Sequence, residues 1–143
     1  MTKRETLTAV FTFVFLGLMA TAQAKEPLEY QLASLNAKSM VASDHITVVR
    51  FRSLLNQLDA AYVEDKQQIA DMSVVAQQSM KRDGIDESLL NIMEGMNQLF
   101  SVKVTNQRYA EYAAAYVTLR DSGQSHAQAI SGLQALLRRL VVR

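Results

Sequence analysis

From Val48 to Ala76 the apolar side chains return every three or four residues: Val48, Phe51, Leu55, Leu58 and Tyr62, then Ile69, Met72 and Ala76, with Asp65 in the one polar place of the series. That spacing lays a continuous stripe along an α-helix and would scatter the same residues over both faces of a strand. No stretch of the chain alternates with a period of two, as a half-buried strand does. The 143 residues contain a single proline, Pro27, so nothing beyond it breaks a helix through a missing N–H. The fold class that follows is all-α, an antiparallel bundle of four to five helices.

Two glycines mark helix ends. Lys81-Arg82-Asp83-Gly84 and Arg120-Asp121-Ser122-Gly123 each place a cation in a last turn and a glycine just after it. Asp86 and Ser125 are the capping residues expected to open the segments that follow, with Ser43 or Asp44, and Thr105 or Asn106, as further caps. These signals outline a short helix over 28–40 and a segment over 44–82. Further helices run from Glu87 to Phe100 (Leu89, Met93, Met96, Phe100), from Asn106 to Asp121 (Tyr109, Tyr112, Tyr116, Leu119), and from Ser125 to Val142 (Ile130, Leu133, Leu137, Leu140). Residues 101–105 read as a connector. The alanines 110, 113, 114 and 115 allow close helix approach. Gly132 costs about 1 kcal/mol inside a helix relative to Ala, which predicts a closely crossing neighbour there.

The 44–82 segment is the least settled. As one helix it would be roughly 57 Å long, with Asp65 a polar interruption that fixes register. It would overhang a monomeric bundle and points to a homo-oligomer. As two helices it breaks near Val63-Glu64-Asp65, where the acids suit a helix start.

The N-terminus constrains location rather than fold. Lys3 and Arg4 precede an apolar run of about 14 residues, Leu7 to Ala20, which ends at Ala22-Gln23-Ala24. A basic start, a short apolar core and a small-x-small site make a secretory signal peptide. The run is shorter than the ~20 residues that span a bilayer. The expected organisation is therefore a cleaved signal peptide over 1–24 and one helical domain over 25–143, exported to the bacterial periplasm or secreted, with no stable membrane span after cleavage. With no cysteine, the chain has no lipid-attachment site at the cleavage point, no disulfide and no thiol chemistry. The full chain carries a net charge of +1, and loss of Lys3, Arg4 and Glu5 leaves its charges balanced. A near-neutral exported domain lacks the field that draws in nucleic acid.

Few residues suggest chemistry. The two histidines, His45 and His126, stand near helix starts with no second histidine at ligand spacing, so neither a metal site nor any other cofactor is expected. Glu64-Asp65 and Asp86-Glu87 read as helix-start charges. No Gly-x-Ser-x-Gly and no phosphate-cradling glycine loop is present, so no catalytic residue is assigned. Arg138 and Arg139 complement the dipole of a last helix. The candidate binding residues are Tyr109, Tyr112 and Tyr116, three phenols on one helix face, with Met93 and Met96 on another helix. The tyrosines serve either as a core with wet edges or as a docking surface. The expected function is non-enzymatic: an exported interaction module for an unknown protein or peptide partner. The alternatives are a small all-α enzyme of the chorismate-mutase type, using Arg50, Arg52 and Lys66 as cations on one long helix, and a chaperone or lipid-binding bundle.

Overall fold

A computed structural model describes residues 25–100 and 106–141, the last two by backbone alone. The signal peptide expected over 1–24 and the connector expected over 101–105 lie outside them, as does the Leu140 side chain. The described residues form six α-helices: α1 (Leu28–Ala37), α2 (Ile46–Ala61), α3 (Lys66–Arg82), α4 (Leu89–Gln98), α5 (Tyr109–Asp121) and α6 (His126–Val141). The described residues are all-helical as expected, with one helix more than the four to five read from sequence. The difference arises because the 44–82 segment is two helices. Tyr62 leaves the helix for extended backbone, the Val63 N–H donates to the Gln107 carbonyl at 2.9 Å, and Asp65 opens α3. The Asp65 carboxylate accepts from the Gln68 N–H while the Gln68 side chain accepts from the Asp65 N–H. This reciprocal capping box consumes two otherwise orphaned donors, so Asp65 starts a helix and does not interrupt one.

The other termini follow the same local chemistry. Gly84 and Gly123 take φ of 81° and 92°, where a Cβ is costly. Each lets the residue after it, Ile85 or Gln124, donate back to a carbonyl five residues earlier, Met80 or Leu119. Ser125 and Gln128 form a second capping box on α6. Three caps differ from expectation. The N-cap residue of α5 is Arg108, not Thr105 or Asn106. Ser88, not Asp86, accepts from the Asn91 N–H and opens α4, and His45 Nδ1, not Ser43 or Asp44, accepts from the Thr47 N–H on α2.

Consecutive helices from α3 to α6 run in alternate directions. Glu64, just before α3, lies at the first turn of α5; Glu87, just before α4, meets the last turn of α5; Gln98, at the end of α4, meets Gln134 well along α6. Thus α3 lies parallel to α5, and α4 to α6. The core between them is filled by fully buried Phe51, Leu58, Ile69, Met80, Ile92 and Met93, while α1 packs mainly on α2. The close helix crossing is at Gly95, where an added Cβ would stand 2.6 Å from Ile130 Cδ1 and 3.0 Å from His126 Cε1. At Gly132, where the crossing was expected, a Cβ would meet nothing nearer than 3.9 Å. The cost at Gly132 is therefore not repaid by proximity to a neighbour.

Candidate functional site

The five residues singled out for binding do not share a surface. Met93, Met96, Tyr109 and Tyr116 are fully buried; of the five, Tyr112 alone is partly exposed. A helical period places side chains on one stripe but does not say whether the stripe faces in or out, and here it faces mostly in. Each phenol has a partner, as buried hydroxyls require. Tyr109 shares a hydrogen bond with Ser73 Oγ at 2.6 Å, Tyr112 donates to Gln107 Oε1 at 2.6 Å, and Tyr116 lies 2.8 Å from His126 Nδ1. Tyr62, Phe100, Tyr109 and Tyr112 form an edge-to-face aromatic cluster with ring centroids 5.0–6.1 Å apart. Tyr62 donates to the Met96 carbonyl at 2.9 Å. Burial pushes the Tyr62 and Tyr109 phenols far above their ordinary range and Tyr116 to about 12.

A polar clamp closes one end of the bundle. Glu87 is buried. Its carboxylate accepts from Arg120 Nη1 at 2.6 Å, from Asn91 Nδ2 at 2.8 Å and from the Ser88 N–H at 3.2 Å, with the Tyr116 hydroxyl 3.4 Å away. The Glu87 carbonyl accepts from Gln77 of α3 at 2.8 Å. The Arg120 guanidinium also stands over the Tyr116 ring, 5.9 Å from its centroid. Burial alone would raise the Glu87 carboxyl; the Asn91 amide and the Arg120 guanidinium outweigh it and hold the group below the usual carboxylate range. Sequence reasoning took Glu87 for a helix-start charge and missed this cluster. Its members are spread over α3 to α6, and no local pattern joins them. Carboxylate, phenol and imidazole in sequence suggest a proton relay, yet Glu87, Tyr116, Arg120 and His126 line neither of the hollows described next. The arrangement is a clamp between helices. Among the described residues no group of three His, Cys, Asp or Glu is placed to hold a metal ion.

The cations of the enzyme reading do not converge. With the helix broken, Lys66 belongs to α3 and donates to Asn56 Oδ1 at 2.6 Å. Arg50 pairs with Glu94 and Arg52 with Glu29. Each has a partner within the chain, and Arg52 and Lys66 both stand near the Glu29 carboxylate while Arg50 is turned to Glu94.

Among the described residues an open groove lies between α3 and α5. It encloses about 430 Å³ and is lined chiefly by Met72, Val75, Ala76, Ala110, Ala113 and Ala114. The alanines that permit close helix approach also leave this groove, because Ala110 and Ala114 face outward with no bulk. Val75 stands at its edge, 62% exposed. A second hollow of about 620 Å³ lies on the other side of Val75, lined by Gln78, Lys81 and Arg82. Asp71 completes the groove wall. The sequence signal for this face was available in α3, where Asp71, Val75, Gln78 and Arg82 fall on a line opposite the buried stripe. No described helix is long and apolar enough to cross a membrane.

The model of the MoxZ family matches residues 20–137 of the chain, nearly all of the helical region, and the chain belongs to that family. No curated protein and no solved structure matches it.

Proposed function

We propose that this MoxZ-family protein acts by binding, as an exported, non-enzymatic accessory protein whose docking face is the α3/α5 groove. The family name associates it with methanol oxidation, and the reading makes the chain an accessory protein of that process. The observation that carries the binding role is the groove itself: an apolar hollow that no described residue covers, with Val75 mostly exposed at its edge. Apolar surface of this kind is where partner side chains gain most from leaving water. The Glu87 carboxylate, by contrast, is filled by Arg120, Asn91 and the Ser88 N–H. Export is supported by the Lys3/Arg4 start, the apolar run and Ala22-Gln23-Ala24.

A photo-crosslinking side chain placed at Val75 in the native host tests the reading. The expected result is a protein adduct in the exported fraction at Val75 and none at Asp59, an exposed position on α2. No adduct at Val75 would remove the groove as a docking face. Intact-mass measurement of the same fraction reads export directly: the expected species begins at Lys25, and a full-length mass would overturn it.

A further inference from the structure

We propose that the Tyr116 hydroxyl is a two-way joint that holds α6 to the bundle, its direction set by the charge on His126. The hydroxyl has one proton and two acceptors within reach, His126 Nδ1 at 2.8 Å and Glu87 Oε2 at 3.4 Å. Its oxygen also faces a donor, Arg120 Nη1 at 3.3 Å. With His126 neutral, the shorter contact takes the proton: Tyr116 donates to Nδ1, and the imidazole carries its own proton on Nε2. When His126 takes up a proton, Nδ1 turns from acceptor to donor. The Tyr116 oxygen then accepts from Nδ1–H, and the hydroxyl proton swings about the C–O bond to Glu87. The phenol keeps its proton throughout. The added proton comes from solvent, which reaches His126 because its side chain is 30% exposed.

The surroundings make this hydroxyl decisive. Tyr116 and Glu87 are both buried, so neither turns to water when a partner is lost. His126 is the first residue of α6. Its ring meets Tyr116 edge to face, with centroids 5.7 Å apart, and its Cε1 stands 3.0 Å from where a Gly95 Cβ would be on α4. The ring is held on two sides. The charged and titratable groups that face it are Tyr116 and Arg120 of α5 and Glu87, whose Oε2 is 3.9 Å from Nδ1; on α4, Glu94 is turned to Arg50 of α2. Glu87 attracts an imidazolium. Arg120, already on the same carboxylate at 2.6 Å, and the positive N-terminal end of α6 repel it. These charges pull in opposite senses, so the protonated ring keeps its place through an acceptor for Nδ1–H. The Tyr116 oxygen, 2.8 Å away, supplies it. A phenylalanine here would fill the same space and suit only the neutral ring.

Two measurements on the mature protein test the joint. Nitrogen NMR of the imidazole reads the tautomer of the wild type above about pH 8. The expected form carries its proton on Nε2. An Nδ1–H form would mean that the hydroxyl already points to Glu87, and would overturn the proposal even where the variants below do not fold. Thermal melts between about pH 8 and pH 5 then compare wild type, Tyr116→Phe, His126→Gln and the double variant. That interval lies above the range in which Glu87 takes up its proton. In Tyr116→Phe the protonated ring lacks its acceptor, so the folded chain takes up the proton less readily than the unfolded one, and stability falls as pH drops through the histidine range. The melting temperature of Tyr116→Phe should fall about 5 °C further than the wild type's across the interval. In the His126→Gln background the same change should add no such fall. Parallel curves for wild type and Tyr116→Phe, or an extra fall that persists without His126, overturn the joint.

Discussion

Gly95 and Gly132 are chemically identical and stand in neighbouring helices, yet their replacements should act in opposite directions. At Gly132 a methyl enters ordinary contact distance, so Gly132→Ala gains helix propensity and should stabilise the protein by about 0.5–1 kcal/mol. At Gly95 the same methyl meets the Ile130 side chain at 2.6 Å, and Ile130 is itself buried. The overpacking cost of about 1–3 kcal/mol exceeds the propensity gain, and Gly95→Ala should lower stability. Removing the offending carbon with Ile130→Val should relieve it, so urea melts of the four-member cycle are expected to show favourable coupling between the two changes. Additive effects would mean that Ile130 moves aside freely. The pair also shows what a sequence reader can see. Gly84 and Gly123 were legible because their reason is local, a left-handed residue after a basic last turn. Gly95 was not, because its reason is a side chain 35 residues away.

Among the elements, the helix starts divide the same way. Asp65, Ser88, Ser125 and His45 cap their own helices through side chains that sit within three residues of the N–H groups they satisfy. Of these, Asp65 and Ser125 were readable in advance. α5 is different: its N-cap residue, Arg108, makes no side-chain capping bond. The Glu64 carboxylate, from the turn between α2 and α3, accepts from the Tyr109 and Ala110 N–H groups at 2.8 and 3.3 Å. A carboxylate at a helix N-terminus satisfies orphan donors and complements the dipole at once. Here it also ties the break in the 44–82 segment to the helix that carries the tyrosines. Glu64→Ala should cost about 1–2 kcal/mol, and hydrogen exchange should show it first at Tyr109 and Ala110, with the α3 amides unaffected. Equal loss of protection along α3 would mean that Glu64 matters to the break and not to the cap. The groove has the same history: the outward line of α3 was in the sequence, but that α5 would lie beside it, parallel, depended on a contact between residues 64 and 109.

For the molecule as a whole, the buried acids and phenols set the pH range in which the bundle holds together. Glu87 joins α3, α4 and α5 through Gln77, Asn91, Tyr116 and Arg120, and Tyr116 in turn reaches His126 of α6. Its carboxyl is held below the ordinary value in the folded state, so the unfolded chain takes up a proton more readily than the folded one. The stability it contributes is present above about pH 4.3, the ordinary glutamate value, and is lost as pH falls through the lower folded value. At the other edge the sign reverses. Burial pushes Tyr116 to about 12 and Tyr62 and Tyr109 beyond it, so unfolded phenols ionise first and stability declines as pH rises above about 10. Glu87→Gln isolates the acid edge. At pH 7 it leaves the Arg120 guanidinium, itself only 12% exposed, without its counter-charge, and should cost about 3 kcal/mol. Between about pH 5 and 3, where the wild type loses the Glu87 contribution, the variant has none to lose, and its melting temperature should fall less steeply. Its loss above pH 10 should be somewhat smaller than the wild type's, because the Glu87 charge no longer helps to raise Tyr116, while Tyr62 and Tyr109 remain buried. A variant whose melting temperature falls as steeply with acid as the wild type's would assign the acid edge to other carboxylates and reduce Glu87 to a neutral hydrogen-bond acceptor between the helices.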